Sequence, residues 1–452
     1  MNFRRLGRLP LAARRQHPRA THPSALICAG MMVAWVGGCR APLNDAGLDE
    51  GSLAAIDEDT APSMEGGERT LAQRKKPGSK PPSIPKLGEY GAPLGGLTAA
   101  QQQDFTDGLE EFLNEETAEG GLGPIFNHTG CFKCHSAPAI GGASAINVTR
   151  FGAVKNGVFD SLDSLGGSLL QVSAIDPKAQ EVVPPEATLV AFRQSTPLFG
   201  LGLIEAIEDS TIIDGVKRAT LFPVQGKVAM VQDVVSDTSR VGRFGWKAQQ
   251  ATLLAFSGDA YVNEMGVTSR FFVAENAPNG KQSVLAQFDT VADPEDQVDL
   301  ATGKADIDHA ADFMRLLAPP PSKLPKMAEE VAGSALFQSS GCADCHTPSM
   351  KTGKNVIAAL SLKEVRLFSD LLLHDMGNLG DGIVQGPAAG SQMKTAPLWG
   401  LKTSAPYLHD GREPTVDLAV RAHAGQAKAS RDRYVKLIAT ERAALLKFLD
   451  TL

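Results

Sequence analysis

Two short sequences bring thiols and an imidazole together: Cys131-Phe132-Lys133-Cys134-His135 and Cys342-Ala343-Asp344-Cys345-His346. In CxxCH the two thiols add to the vinyl groups of a haem and the next histidine supplies an axial nitrogen, so spacing and order are both set by the cofactor. A zinc ribbon needs its second CxxC roughly 15–20 residues on; here the pairs stand about two hundred residues apart. A redox CxxC has no need of a trailing histidine in both copies. The pattern implies two covalently bound c-type haems, held by Cys131, Cys134 and His135 and by Cys342, Cys345 and His346.

The other histidines bear on the far face of each iron. His423 follows Val416 and Val420 at helical spacing and shares their apolar face. In a haem domain of this size, an imidazole aimed at the core is a candidate second ligand, which makes the second iron a His346/His423 centre. Between His135 and His309 there is no histidine, and His128 stands too close to Cys131 to reach over the same haem. The first haem is therefore expected to have an open or weakly held sixth position.

The chain has 452 residues and six cysteines, and Asp and Glu exceed Lys and Arg to give a net charge of −7. That balance argues against nucleic acid, whose binding rests on neutralising phosphates. No disulfide is expected, because four cysteines are used by the CxxCH motifs and Cys28 and Cys39 fall in an export segment. Arg4, Arg5, Arg8, Arg14, Arg15 and Arg19 precede the apolar run Ala25–Val36, which is short for a membrane span. The run ends Val36-Gly37-Gly38-Cys39, resembling a lipobox. The expectation is a signal peptide over 1–39, lipid attached at Cys39, and a periplasmic or outer-envelope protein that meets the membrane only through that anchor.

Residues 40–96 are rich in Pro, Gly, Ser and charge and are expected to form a disordered tether. Thr98 can cap a helix from Ala99 to about Asn114. The prolines of 318–325 suggest a linker, dividing an N-terminal haem domain (97–317) from a compact C-terminal one (326–452). In the latter, helices are expected over Met327–Phe337, Thr415–His423 and Thr440–Leu452, the last burying Leu445, Leu449 and Leu452. The fold class is mostly α, with two cytochrome c-like haem domains and minor β in the first, including Ala229–Val235.

An ordered series of motifs resembles the di-haem oxidoreductases, relatives of bacterial di-haem cytochrome c peroxidases and of the di-haem enzyme that matures a tryptophan-derived cofactor. It comprises GLGPIFN (121–127), CFKCH, STPLFGLGLIEAI (195–207), RFGWKA (243–248), GCADCH, SDLLLHDMG (369–377), TAPLWGL (395–401) and LHDGREPTVDLAVRAHAG (408–425). The resemblance runs from about Leu97 to Leu452. It places His423 where the relatives offer Met or Tyr to the second haem. It makes Glu264, in Asn263-Glu264-Met265-Gly266, the candidate acid/base over the reactive haem, and Trp246 a candidate electron bridge. His374, Met376, His409, Asp410 and Arg412 also match family motifs; Met376 is a possible iron ligand and Arg412 a possible partner for a haem propionate. Two departures stand out: Leu254 where the maturation enzyme has an active-site glutamine, and no distal histidine after the first CxxCH.

The activity implied is a peroxidase-like oxidoreductase in which the first haem meets hydrogen peroxide or another small oxidant and the second relays electrons from a redox partner. A pure electron-carrying cytochrome or redox sensor, and an oxidase of a side chain on a docked protein, are the alternatives.

Overall fold

The computed structural model describes residues 82–452. The export segment, the lipobox and most of the expected tether lie outside the described residues. Among the described residues no helix is long and apolar enough to cross a membrane.

Thr98 opens helix α1 (Ala99–Phe112) with a reciprocal cap: its hydroxyl accepts from the Gln101 amide and its own amide donates to the Gln101 side chain. Packing begins somewhat before Leu97, the start expected from composition. Ala92 is fully buried, and the Leu94 amide donates to the Leu316 carbonyl at 2.8 Å. Backbone pairing has recruited a stretch whose composition reads as tether.

The strand β1 (Asn147–Lys155) is the centre of the largest sheet. It pairs antiparallel with β2 (Val158–Asp160), β3 (Ser168–Leu170) and β4 (Leu189–Gln194). The β-prone stretch at 229–235 forms a hairpin strand, Met230–Asp233 paired with Thr238–Val241. Helix α2 (Leu253–Ala260) follows and passes into a π-helical turn, Tyr261–Met265, while α3 (Asp306–Leu316) packs across α1 and α2. The C-terminal half contributes α4 (Ala328–Ser339), the ribbon β5 (Leu373–Asp375) with β6 (Gln392–Lys394), α5 (Val416–Ala422) and α6 (Ala439–Leu449). The fold is mostly helical. Strand structure is not confined to the first half as expected, because short ribbons tie down the long loops after the second CxxCH.

The described residues, 82–452, fall within one compact unit. Its main apolar core draws Leu109, Phe199 and Phe313 from one side of the proline-rich stretch and Leu367, Leu371 and Trp399 from the other. The prolines themselves are packed, Pro319 against Gly200 and Pro320 against Gly400.

The helix preceding each CxxCH motif is crossed by a later helix at a glycine. A Cβ on Gly108 in α1 would stand 2.4 Å from the His309 carbonyl of α3, and one on Gly333 in α4 would stand 2.0 Å from the Ala444 carbonyl of α6. Around the second crossing Leu445, Leu449 and Leu452 are buried as their spacing suggested, and Phe337 meets Phe448 edge-to-face at 5.5 Å. Gly333→Ala is expected to cost about 1–3 kcal/mol through overpacking, read as a fall in thermal midpoint. Gly215→Ala, where a Cβ meets nothing within 4 Å, is the control and should leave the midpoint unchanged or slightly raised.

Candidate functional site

Each CxxCH folds as a single tight turn, Cys131–Lys133 and Cys342–Asp344, with the histidine amide donating to the first cysteine's carbonyl at 3.1 Å and 2.9 Å. The cysteines are unbridged. Burial and neighbouring acids push the Cys131 thiol far above its ordinary range. Burial, with Glu264 nearby, carries Cys134 to about 12, and burial carries Cys342 to about 12. A redox or zinc-binding CxxC relies on a stabilised thiolate; the surroundings of Cys131, Cys134 and Cys342 favour the neutral thiol instead.

The imidazoles have their tautomers fixed. A carbonyl can only accept, so Nδ1 carries the proton wherever it meets one. His135 Nδ1 donates to the Gly142 carbonyl at 3.0 Å, His346 Nδ1 to Phe368 at 3.0 Å and His423 Nδ1 to Ala419 at 2.8 Å. In each ring Nε2 is left with its lone pair. Burial lowers the proton affinity of all three, bringing His346 down to about 4 with help from His423. His423 closes the C-terminus of α5, which is capped by Thr415 and carries Val416 and Val420 on an apolar face as their spacing suggested. Its ring centre lies 6.5 Å from that of His346. Two imidazoles bound through nitrogens about 2 Å from a shared metal have ring centres roughly 6 Å apart, so the pair has the spacing of opposed ligands.

Glu264 lies in the π-helical turn at the end of α2, and such turns concentrate at functional positions. Asn127, the last residue of GLGPIFN, donates from Nδ2 to Glu264 Oε2 at 2.6 Å, and its amide donates to the Glu264 carbonyl at 2.8 Å. The Asn127 side chain is held in turn by the Val172 amide, and Gln171 donates to the Asn263 carbonyl at 3.0 Å. Burial raises the proton affinity of Glu264 above its ordinary 4.5; Asn127 and the Arg150 charge oppose this, and Asp259 adds to it. Leu254 and Cys131 both pack against the apolar cluster that contains Tyr261 and Met265. The Glu264 turn therefore adjoins the first CxxCH.

Trp246 is half-buried and lies on a bonded route between the motifs. Its Nε1 donates to the Gln194 carbonyl at 2.8 Å, and the next residue, Ser195, donates from Oγ to the Cys134 carbonyl at 2.7 Å. On the other side the Lys394 amide donates to the Trp246 carbonyl at 2.9 Å, and Lys394 pairs with Leu373, next to His374, whose Nδ1 is 3.8 Å from Cys345 Sγ. The adjoining Lys247 is fully buried. Its Nζ meets Asp381 at 2.8 Å and donates to the Gln392 carbonyl at 2.6 Å, while Arg193 Nε donates to the same Asp381 at 2.7 Å.

Other family-motif residues find different places. His374 hydrogen-bonds Asp370 at 2.9 Å and Gln426 at 3.0 Å; burial opposes its charge, but the bonds to Asp370 and Cys345 prevail and carry it to about 11. Both ring nitrogens thus face acceptors, the arrangement of an imidazolium. Arg412 pairs with Asp410 at 2.5 Å on a half-exposed surface. His409 stands edge-on to Trp246 at 6.3 Å. Asn127, Gln171 and the Arg193–Asp381–Lys247 group were not foreseen as site residues, although Asn127 and Lys247 fall within the family motifs GLGPIFN and RFGWKA.

A family model described as "Di-haem oxidoreductase, putative peroxidase" matches residues 183–452. The chain belongs to this family. The di-haem oxidoreductases use two haems and resemble cytochrome c peroxidases, so the chain is an oxidoreductase of that kind. No curated protein matches the chain. Among solved structures it is similar to a hydrazine synthase from Kuenenia stuttgartiensis (12% identity, 89% of this chain and 100% of that one, TM-score 0.37). Others are a MauG-like protein associated with microbial copper homeostasis (18%, 62% and 94%, TM-score 0.29) and the diheme peroxidase BthA from Burkholderia thailandensis (16%, 63% and 90%, TM-score 0.30).

Two outcomes test this geometry. Asp381→Asn strips the shared anion from two buried cations and is expected to cost about 3–5 kcal/mol, seen as a large fall in thermal midpoint; an unchanged midpoint contradicts the buried group. For Glu264 the folded-state affinity for a proton exceeds the unfolded one, so its contribution to stability is complete below 4.5 and is lost as pH rises through the folded value. Melting curves of Glu264→Gln and the parent protein should therefore diverge in favour of Gln as pH increases from 4.5, and parallel curves contradict the assigned burial.

Proposed function

We propose that this di-haem oxidoreductase is a peroxidase in which the haem at Cys131, Cys134 and His135 meets peroxide, while the haem at Cys342, Cys345 and His346, closed by His423, relays electrons. The observation that carries the reading is the asymmetry of the two motifs. His346 faces a second, half-buried imidazole at ligand-pair spacing, whereas the His135 motif adjoins a half-buried carboxyl held by Asn127.

Bound at these positions, haem supplies iron that exchanges single electrons and, where one axial place is open, takes up a small oxidant. The protein supplies the rest. Splitting hydrogen peroxide requires a proton to move from the near oxygen to the far one, which then departs as water. Glu264, with its proton affinity raised by burial, is suited to accept and return that proton, and Asn127 fixes its orientation. His423, kept neutral and donating to Ala419, offers its lone pair opposite His346 and leaves no place for substrate there. Trp246, on the bonded route from Cys134 to β5, is suited to carry electrons between the halves.

The same reading retains two cytochrome c-like halves divided at 318–325, covalent attachment of both haems, and a lipid anchor at Cys39 that places the protein in the periplasm or outer envelope. These rest on the CxxCH spacing and the sequence of 25–39. Reducing equivalents come from a redox partner protein or other donor, and the small oxidant is peroxide.

The test is steady-state oxidation of a reduced c-type donor by hydrogen peroxide with the di-haem protein. Glu264→Gln is expected to lower kcat by about 10²–10⁴-fold with both haem spectra retained. Turnover unaffected by the substitution removes Glu264 from the mechanism. A complete lack of turnover in the parent protein favours an electron carrier instead.

A further inference from the structure

Arg150 occupies the middle of β1, opposite Leu169 in β3 and Ala191 in β4. Its NH1 donates to Ser168 Oγ at 3.3 Å, but its Nε is sealed from solvent and meets no acceptor. Among the described residues no carboxylate comes within ion-pair distance of this guanidinium. Arg150 is half-buried as a whole, but a guanidinium nitrogen sealed from solvent ordinarily has an acceptor, because an unpartnered buried polar group costs free energy. Two neighbours, Arg193 and Lys247, follow that rule by sharing Asp381; Arg150 does not.

Glu264 and Asp259 are near enough for their charges to be felt at Arg150, yet neither serves as its counter-ion. Asn127 takes Glu264 Oε2, and Glu264 holds its proton more tightly than an ordinary carboxyl, the reverse of what a close cation produces. Asp259 likewise has a raised proton affinity, chiefly through burial, and accepts from Asn263.

The position of Arg150 indicates what kind of anion is missing. β4 leads directly to Ser195, which holds the Cys134 carbonyl, and β3 leads to Gln171 and Val172, which hold Asn263 and Asn127. The strand carrying Arg150 therefore lies between the arm fixing the first CxxCH and the arm fixing the Glu264 turn. A haem bound to that motif brings two carboxylates into the fold, and a planar guanidinium fork matches a carboxylate in both shape and charge.

We propose that Arg150 is a propionate receptor of the first haem, fixing its rotational setting beneath Glu264. The inference rests on the reading that Cys131 and Cys134 carry a haem. It gives Arg150 the role that the sequence suggested for Arg412.

The experiment compares the holoprotein with Arg150→Gln and Arg150→Lys, measuring haem content by intact mass and both midpoint potentials by spectroelectrochemical titration. Loss of a positive charge beside the haem favours the oxidised state. Arg150→Gln is thus expected to lower the first haem's potential and leave the second unchanged, with Arg150→Lys largely restoring it. Both haems present with an unmoved first potential overturns the proposal, as does an unmoved potential with only a raised KM for peroxide, which would place Arg150 at the substrate. Should Arg150→Gln fail to accumulate, the propionate bending mode in resonance Raman spectra of Arg150→Lys decides: a shift supports the proposal and no shift refutes it. A parent protein without haem at the first motif would defeat the functional reading instead.

Discussion

An imidazole can bind a metal only through a nitrogen that carries no proton, and in this protein three backbone carbonyls make that choice. Gly142, Phe368 and Ala419 each accept from an Nδ1, leaving Nε2 of His135, His346 and His423 as the lone-pair nitrogen. The carbonyls must lie at the right depth, so the loops that supply them are held in place by other contacts. Gly142 stands in the loop after His135, closed by the Ala137–Ala143 amide pair. Phe368 reaches His346 from a loop anchored through the edge-to-face packing of Phe337, Phe368 and Phe448. Ala419 comes from the helix that ends in His423 itself. Much of the fold can be understood as the support of these three hydrogen bonds.

The same economy of support explains why the halves differ. Around His346 the fold brings a second neutral imidazole and, further out, a charged His374 locked between Asp370 and Gln426. Around His135 it brings strands, whose ends hold Cys134, Asn127 and the Glu264 turn. A helix end can present a single ligand, as α5 does. A sheet can project several polar side chains from neighbouring strands into one space, which suits a site where a proton has to move.

The sequence revealed those parts of the site governed by local rules. Thr98 caps a helix where its position suggested, and the 3.6-residue rhythm of Leu445, Leu449 and Leu452 marks a buried face. The spacing of CxxCH is dictated by the cofactor, and His423 was found because a helix repeats its face every three or four residues. Asn127 and Gln171 escaped because their partners lie far along the chain: Asn127 meets Glu264 across 137 residues and Gln171 meets Asn263 across 92. Arg193 and Asp381 are 188 residues apart, and no periodicity connects them. Arg412 is the opposite case, since the partner that it meets, Asp410, is only two residues away.

The central claim is that one iron is closed by two imidazoles and the other is open. Electron paramagnetic resonance of the oxidised holoprotein addresses both at once. The account predicts one low-spin signal of a bis-imidazole iron, lost on His423→Ala, together with one high-spin signal that the substitution leaves in place. Two low-spin signals, or a low-spin signal indifferent to His423, would contradict it.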